Sequence, residues 1–86
     1  MRNIEFKPDA FDDLRYWAET DVKLLRRILQ ILEDIKRNPF NGIGKPEPLK
    51  NMKGYWSRRI NDEHRLVYKV TDDVISIASC RFHYKR

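Results

Sequence analysis

The chain has 86 residues, enough for one compact domain over residues 1–86 and too few for a second domain or a separate ligand-binding lobe. Hydrophobic residues make up 41% of the chain and charged residues 36%, and two Trp, four Tyr and four Phe favour a folded protein over a disordered one. A chain of this size can build one sheet with its covering helices, so we expect no large enclosed substrate cavity.

The net charge of +5 comes from the second half of the chain. Residues 1–44 carry eight Lys or Arg and eight Asp or Glu, whereas residues 45–86 carry ten and five. A basic half joined to a neutral half indicates that one surface holds a polyanion or an acidic partner protein. Ordinary solubilising charge is the alternative explanation.

Cysteine content and apolar runs indicate the compartment. The single cysteine, Cys80, cannot form an internal disulfide, no charged-then-apolar leader opens the sequence, and no apolar run approaches the ~18 residues of a membrane span. We therefore expect a cytoplasmic protein with no membrane contact. Cys80, His64 and His83 lack metal-ligand spacing, so we expect neither a metal site nor a cofactor.

The first half of the chain reads as one strand and two helices. Residues 2–6 predict a short strand, and Asp9 is placed to cap a helix that runs to about residue 19. Apolar residues then recur every three or four positions from Val22 to Ile35, which predicts a second amphipathic helix ending near residue 38. The two helices are expected to form an antiparallel hairpin.

The second half reads as a long connector and a three-stranded meander. Residues 39–54 hold three of the four prolines and all three glycines, so they predict an irregular connector. Strands are predicted at 55–60, 64–70 and 74–82, joined by two turns of three residues each. The fold class is therefore α+β, with an N-terminal strand and a helical hairpin packed on a mainly antiparallel sheet.

Strand alternation sorts the side chains of this sheet. If both turns contain three residues, the odd-numbered residues of all three strands lie on one face. The even-numbered residues then form a core face, with Arg58 as an exception: Trp56, Ile60, Leu66, Tyr68, Val70, Val74, Ala78, Cys80 and Phe82. The odd-numbered residues form an open face: Tyr55, Ser57, Arg59, Arg65, Val67, Lys69, Ile75, Ile77, Ser79, Arg81 and His83.

The open face carries positive charge on all three strands. Arg59, Arg65, Arg81 and His83 lie there, and the strands place no Asp or Glu beside them. Guanidinium groups bind phosphates through charge-assisted hydrogen bonds, and clustered like charge costs stability unless a counter-charge arrives. A solvated sheet face without a ligand is the alternative.

The sequence can also supply the groups for metal-free RNA cleavage. That reaction needs a base for the 2′-hydroxyl proton, an acid for the leaving 5′-oxygen and cations for the phosphorane. Glu47 in the connector is the candidate base, and His83, with an ordinary pKa of about 6.5, is the candidate acid. The remaining candidates are cations and one aromatic residue that could stack on a base or share in proton transfer: Arg65, Arg59, Lys50 and Tyr84.

Four short runs together resemble one protein family. They are KPEPLK at 45–50, GYWSRRI at 54–60, EHRLVY at 63–68 and CRFHY at 80–84. In combination they are similar to the YoeB/Txe family of bacterial toxins, within the RelE/ParE superfamily, and the similarity extends over essentially the whole chain. The tail departs from the family, because Lys85 and Arg86 extend past the usual terminal aromatic residue.

The resemblance implies a RelE-like fold and a ribosome-dependent mRNA interferase. Such an endoribonuclease enters the aminoacyl-tRNA site of the 70S ribosome and cuts the exposed mRNA codon, leaving a 2′,3′-cyclic phosphate and a 5′-hydroxyl end. It implies Glu47 as general base, His83 as general acid and Arg65 as phosphate stabiliser. Lys50, Arg59 and Tyr84 would support them, and Arg81 is the remaining cation of the predicted RNA-binding face.

The resemblance also implies partners. A YefM-type antitoxin would fold an acidic C-terminal segment onto the basic surface, DNA would be contacted only indirectly through that antitoxin, and homodimers are known in the family. Two rival functions stay open. One is a ParE-like protein that binds gyrase without cleaving RNA, and the other is a non-catalytic module that binds RNA or the ribosome.

Overall fold

The computed structural model describes residues 2–82, so the predicted site residues His83 and Tyr84 lie outside the described residues, as do Lys85 and Arg86. In chain order the elements are β1 (Asn3–Phe6), α1 (Pro8–Thr20), α2 (Val22–Arg37), β2 (Glu47–Pro48), β3 (Tyr55–Arg59), β4 (Arg65–Val70) and β5 (Val74–Ser79). Neither helix in this part of the chain is long and apolar enough to cross a membrane.

The strands form one sheet in the order β1-β5-β4-β3-β2. β1 pairs with β5 in parallel, and the other pairs are antiparallel. The parallel pair follows from the chain path, because the helices carry the chain between β1 and the meander. The predicted mainly antiparallel α+β fold is thereby confirmed.

The two helices are separated by Asp21 alone, which serves both of them. Its backbone N–H donates to the carbonyl of Trp17 at the end of α1, and its side chain accepts from the N–H of Leu24 in the first turn of α2. This satisfies backbone groups that helix ends leave unpaired. The predicted cap at Asp9 is wrong: Lys7 holds the N-cap position of α1, Pro8 begins the helix, and Asp9 lies in its first turn.

The core lies between the helices and one face of the sheet. α2 contributes a fully or nearly buried stripe at helical spacing, Ile28, Ile31, Leu32 and Ile35. α1 adds Ala10 and Trp17. The sheet residues of the same cluster are Ile60, Leu66, Tyr68, Ile75, Ile77 and Cys80. Of the apolar positions from Val22 to Ile35, Ile28, Leu32 and Ile35 are buried as the periodicity predicted, whereas Val22 and Leu29 are about half exposed.

The turn between β4 and β5 is one residue longer than predicted, which changes the predicted alternation of faces in β5. Val70 pairs with Ile75, which leaves four residues in the turn instead of three. The Thr71 hydroxyl accepts from the N–H of Val74, and the Thr71 N–H donates to the Val74 carbonyl, so the longer turn is closed by its own hydrogen bonds. Ile75 and Ile77 are consequently in the core and not on the open face, because a shift of one residue exchanges the faces of a strand.

The exchange of the two faces does not persist along the whole of β5. The register shifts between Val67 and Tyr68, so that Val67 pairs with Ser79 and the predicted alternation returns there. Val74 and Ala78, which the alternation placed in the core, are only partly buried and lie outside the core cluster. β5 ends at Ser79, three residues before the predicted end of the strand.

Arg58 is the largest fully buried side chain of the sheet. Its Nη1 donates to Asp34 Oδ2 at 2.6 Å, and its Nε donates to the Tyr68 hydroxyl at 3.1 Å. That hydroxyl donates onward to the Pro39 carbonyl at 2.7 Å. The other acceptors of the guanidinium are the carbonyl oxygens of Asn38, Asn41 and Ile43. A buried guanidinium thus ties the first part of the connector to the sheet.

We expect Arg58→Met to lower the free energy of unfolding by about 3 to 5 kcal/mol, because it leaves a mostly buried carboxylate and several carbonyls without their donor. Urea denaturation measures this. Arg59→Met is the matched control, since Arg59 is half exposed and its ion-pair partner Asp62 is fully exposed, so its loss should be about 1 kcal/mol or less. Equal losses in the two variants would contradict the role of Arg58.

Asp34 makes part of this stability depend on pH. The N–H of Ile43, donated at 2.9 Å, and the Arg58 guanidinium lower the pKa of Asp34 from its ordinary value of 3.8, against the opposing effect of burial. A lowered folded-state pKa adds stability above the unfolded value, and that stability is lost as the pH falls through the folded value. We expect Asp34→Asn to weaken the fall of unfolding free energy below about pH 4. Urea titrations at several pH values test this, and an unchanged acid limb would refute it.

Candidate functional site

Glu47 and Arg65 meet on the open side of the sheet. Glu47 lies in β2, where it pairs with Ser57 of β3, and Arg65 begins β4. The Arg65 Nη2 lies 3.4 Å from Glu47 Oε2, and its Nε donates to the Ser57 hydroxyl at 3.0 Å. The three side chains therefore form one cluster, here called the Glu47–Arg65 cluster.

The members of the cluster differ in exposure. Ser57 is buried, the Arg65 side chain is 17% exposed, and the Glu47 side chain is 58% exposed. A guanidinium that is mostly covered and held by a buried hydroxyl keeps a fixed orientation, whereas the carboxylate can move. The cluster can present a fixed cation to an anion and a proton acceptor beside it.

Ser57 is a member that sequence reasoning placed on this face without a role, and β2 is a strand that it did not predict. The connector was interpreted as irregular because Pro and Gly dominate it. The register of Glu47 on Ser57 is set instead by backbone pairing, including the N–H of Leu49, which donates to the Tyr55 carbonyl at 2.9 Å. Local composition carries no signal for that long-range pairing.

Arg59 and Lys50 flank the cluster. Arg59 pairs with Arg65 across β3 and β4, and its Nη2 forms an ion pair with the exposed Asp62. Lys50 is exposed and lies two residues after Pro48, where β2 ends. The alternation considered only the residues of the three predicted strands, which carry no acid beside these cations. Glu47, the predicted connector carboxylate, pairs with Arg65, and Asp62 from a turn pairs with Arg59, to which the sequence assigned no acidic partner.

Arg81 lies elsewhere in the structure. Its guanidinium carbon is 3.6 Å from the centroid of the Tyr16 ring on α1 and 4.6 Å from that of Phe82. Such stacking favours a cation over an aromatic face. Alternation could not place Arg81, because β5 ends at Ser79. Of the four cationic residues predicted on the open face, the described part of the chain brings only Arg59 and Arg65 together as cross-strand partners.

The segment that precedes residue 83 is fixed by β4. The N–H of Phe82 donates to His64 Nδ1 at 2.7 Å, and the Phe82 carbonyl accepts from the N–H of Arg65 at 3.1 Å. His64 is buried, and its ring packs edge-on against Trp17 with centroids 4.7 Å apart. Phe82 has a φ of 63°, a left-handed conformation that non-glycine residues adopt only when their surroundings impose it.

α1 fixes the same segment from the other side. The Cys80 N–H donates to Asp13 Oδ2 at 3.0 Å, and Trp17 Nε1 donates to the Cys80 carbonyl at 2.9 Å. Burial raises the pKa of the Asp13 carboxyl, and the Cys80 N–H opposes that shift. Four hydrogen bonds therefore hold the backbone groups of Cys80 and Phe82, although these residues lie outside any strand. Sequence reasoning assigned no such role to His64, whose only signal is its place in the run EHRLVY.

Residues 2–82 contain no group of three or more His, Cys, Asp or Glu side chains arranged to hold a metal ion. Cys80 is buried, and burial raises the pKa of its thiol to about 12. The thiol is therefore neutral at physiological pH and a poor nucleophile.

Comparison with known proteins identifies the family of the chain. Residues 6–84 match the family described as a YoeB-like toxin of bacterial type II toxin-antitoxin systems. The chain belongs to this family. The Escherichia coli K12 protein named Toxin YoeB is 56% identical over 77 residues, which cover 88% of this chain and 92% of the relative. The predicted family membership is confirmed.

Two solved structures from Staphylococcus aureus are similar to the fold. A YoeB dimer superposes with a TM-score of 0.91 at 54% identity, covering 96% of this chain and 98% of that chain. A heterotetrameric YoeB-YefM toxin-antitoxin complex superposes with a TM-score of 0.88 at 53% identity, covering 98% and 99%. The predicted RelE-like fold is confirmed with them.

We expect His64→Phe to release the Phe82 backbone, because phenylalanine keeps the ring but offers no acceptor to the N–H. Hydrogen exchange of the Phe82 amide should accelerate by about fivefold or more, the value of one hydrogen bond of about 1 kcal/mol. His64→Asn places an amide oxygen near the position of Nδ1 and should restore slow exchange. Equal hydrogen-exchange rates of the Phe82 amide in His64→Phe and in the parent chain would show that the hydrogen bond to His64 does not protect that amide.

Proposed function

We propose that the chain is a ribosome-dependent mRNA interferase, an endoribonuclease toxin that cuts mRNA in the ribosomal A site. The observation that supports this most directly is the Glu47–Arg65 cluster, in which an exposed carboxylate lies beside a mostly buried guanidinium on an open sheet face. An open face suits a polymer held on the ribosome better than it suits a small molecule. Membership of a toxin family supports the same assignment.

In the proposed reaction Glu47 removes the proton of the 2′-hydroxyl, whose oxygen attacks the adjacent phosphorus. Arg65 neutralises the charge that develops on the non-bridging oxygens, using the edge of the guanidinium that Ser57 does not hold. His83 gives a proton to the leaving 5′-oxygen as the P–O bond breaks. The products are a 2′,3′-cyclic phosphate and a 5′-hydroxyl end, and the proposal uses no metal ion or cofactor.

The ion pair between Glu47 and Arg65 is weak enough for a substrate phosphate to replace the carboxylate at Arg65. Its 3.4 Å separation and the exposure of Glu47 make it a weak pair, of about 0 to 1 kcal/mol. A scissile phosphate can therefore replace the carboxylate at Arg65 at little cost, which frees Glu47 to act as the base.

The supporting residues contribute charge and contact. Lys50 and Arg59 lie between Glu47 and Arg65 in the chain and would bind RNA phosphates, and Tyr84 would stack on a base. Arg81 supports the reaction differently from the prediction: its stacking on Tyr16 helps to hold the segment that leads to His83.

We propose partners and location from the same family membership. A YefM-type antitoxin would neutralise this toxin, as in the Staphylococcus aureus complex, and would supply the only contact with DNA. A homodimer is proposed from the dimeric relative. The 70S ribosome with its mRNA would be the target, in the bacterial cytoplasm.

We expect Glu47→Gln and His83→Ala each to lower the rate of mRNA cleavage by about 100-fold or more, the usual contribution of a general base or acid. Toeprinting on translating ribosomes detects new mRNA ends at the A-site codon, and co-sedimentation confirms ribosome binding. Glu33→Gln is the matched control, because Glu33 is an exposed carboxylate on α2.

The same assay separates the rival functions. Stalled but intact mRNA with the parent chain would favour a non-catalytic ribosome-binding module, and inhibition of gyrase without any effect on mRNA would favour a ParE-like activity. Cleavage at the parent rate by both Glu47→Gln and His83→Ala would remove the proposed chemistry.

A further inference from the structure

A second feature of the basic half is a cavity at one end of the sheet. It has a volume of about 460 Å³ and lies where α2, the connector and the turn after β3 meet. Its lining residues are Arg27, Gly44, Lys45, Arg59, Ile60, Asn61 and Asp62. Three cations from three separate parts of the chain thus converge on one concave surface, with one carboxylate among them.

The charge of this cavity is not balanced internally. Asp62 pairs with Arg59, whereas neither Arg27 nor Lys45 forms an ion pair in the part of the chain that the structure describes. Two cations without acidic partners in a concave site attract an anion, because the low-dielectric wall focuses their field. The amide of Asn61 and the two guanidinium groups are hydrogen-bond donors suited to phosphate oxygens.

The wall of the cavity is built by a constrained backbone. The Gly44 carbonyl accepts from the N–H of Arg59 at 2.6 Å, and a Cβ at Gly44 would lie 2.8 Å from the Arg59 carbonyl oxygen. Lys45 follows with a φ of 50°, which is unfavourable for a residue with a side chain. The backbone that carries Lys45 into the cavity is therefore held against β3, and this preorganisation lowers the cost of binding.

The cavity adjoins the Glu47–Arg65 cluster. Arg59 pairs with Arg65 across two neighbouring strands, and such partners have Cβ atoms about 5 Å apart. Lys45 precedes Glu47 by two residues in the same stretch of connector. A chain of phosphates that passes over Arg65 can therefore continue into the cavity.

We propose that this cavity is a subsite for a backbone phosphate of single-stranded RNA, next to the phosphate that Arg65 holds. The proposal rests on the proposed function in taking RNA as the substrate, and it adds Arg27 and Lys45 as RNA-binding residues. An acidic peptide is the other anion that could bind. RNA is favoured because the cavity continues from the cluster proposed to hold the scissile phosphate and presents two guanidinium groups, whose fork matches phosphate oxygens.

Equilibrium binding tests the proposal without relying on cleavage. The probe is a fluorescent single-stranded RNA of about ten nucleotides with 2′-O-methyl groups, which removes the attacking hydroxyl. We expect Arg27→Gln and Lys45→Gln each to weaken binding about fivefold and to reduce the slope of log affinity against log salt by about 0.7, the value for one phosphate contact on a single strand.

Matched controls remove the same charge outside the cavity. Arg26→Gln changes the neighbouring exposed residue of α2, and Lys53→Gln changes an exposed lysine of the connector. Both should bind with the affinity and salt slope of the parent chain. Circular dichroism and urea denaturation confirm that all four variants are folded.

Three outcomes would overturn the subsite. They are no binding of the probe by the parent chain, equal effects of cavity and control substitutions, and weakened binding of a ten-residue poly-glutamate peptide by Arg27→Gln and Lys45→Gln with unchanged RNA binding. The last would assign the cavity to an acidic protein segment. The proposed chemistry is tested separately. Undiminished mRNA cleavage by Glu47→Gln would contradict the chemistry, but it would not change the comparison of RNA binding between cavity and control variants.

Discussion

The buried guanidinium of Arg58 is the interaction on which the rest of the structure depends. A charge without solvent requires partners, and here they come from the end of α2 and the start of the connector. The connector is thereby fixed close to β3. Gly42 shows how close the approach is, because a Cβ at that position would collide with the Asp34 carboxylate. The connector then continues into β2, which pairs antiparallel with β3 and places Glu47 opposite Ser57.

Arg58 and Arg59 are consecutive residues of β3, and their side chains lie on opposite faces of the sheet. The first points into the core and holds the connector, while the second lies on the opposite face beside Arg65 and lines the basic cavity. The backbone N–H of Arg59 adds a contact to Gly44 at the point where the connector passes. Stability and the candidate site are therefore coupled through two adjacent residues, although their side chains do not share partners.

Sequence patterns predicted what depends on local periodicity. The amphipathic helix α2 and the pairing of β3 with β4 follow from spacing within short segments, and both are confirmed. The predicted faces of Ile75 and Ile77 were wrong, because one additional residue in the turn exchanges the two faces of β5. Thr71 closes that turn through hydrogen bonds that composition does not reveal. The acid beside Arg59 was missed for a related reason: Asp62 comes from a turn, which strand alternation does not place.

The short strand β2 explains why the Glu47–Arg65 cluster is both ordered and open. β2 is an edge strand of two residues, and prolines at 46 and 48 flank Glu47. Proline lacks the N–H that a further strand would need, so the edge resists pairing with another chain. Pairing on one side with β3 orders the backbone of Glu47, and the absence of a neighbouring strand within residues 2–82 on the other side leaves its carboxylate exposed. An 86-residue chain can therefore hold a carboxylate at a defined place on its sheet and keep it accessible without building an enclosed cavity around it.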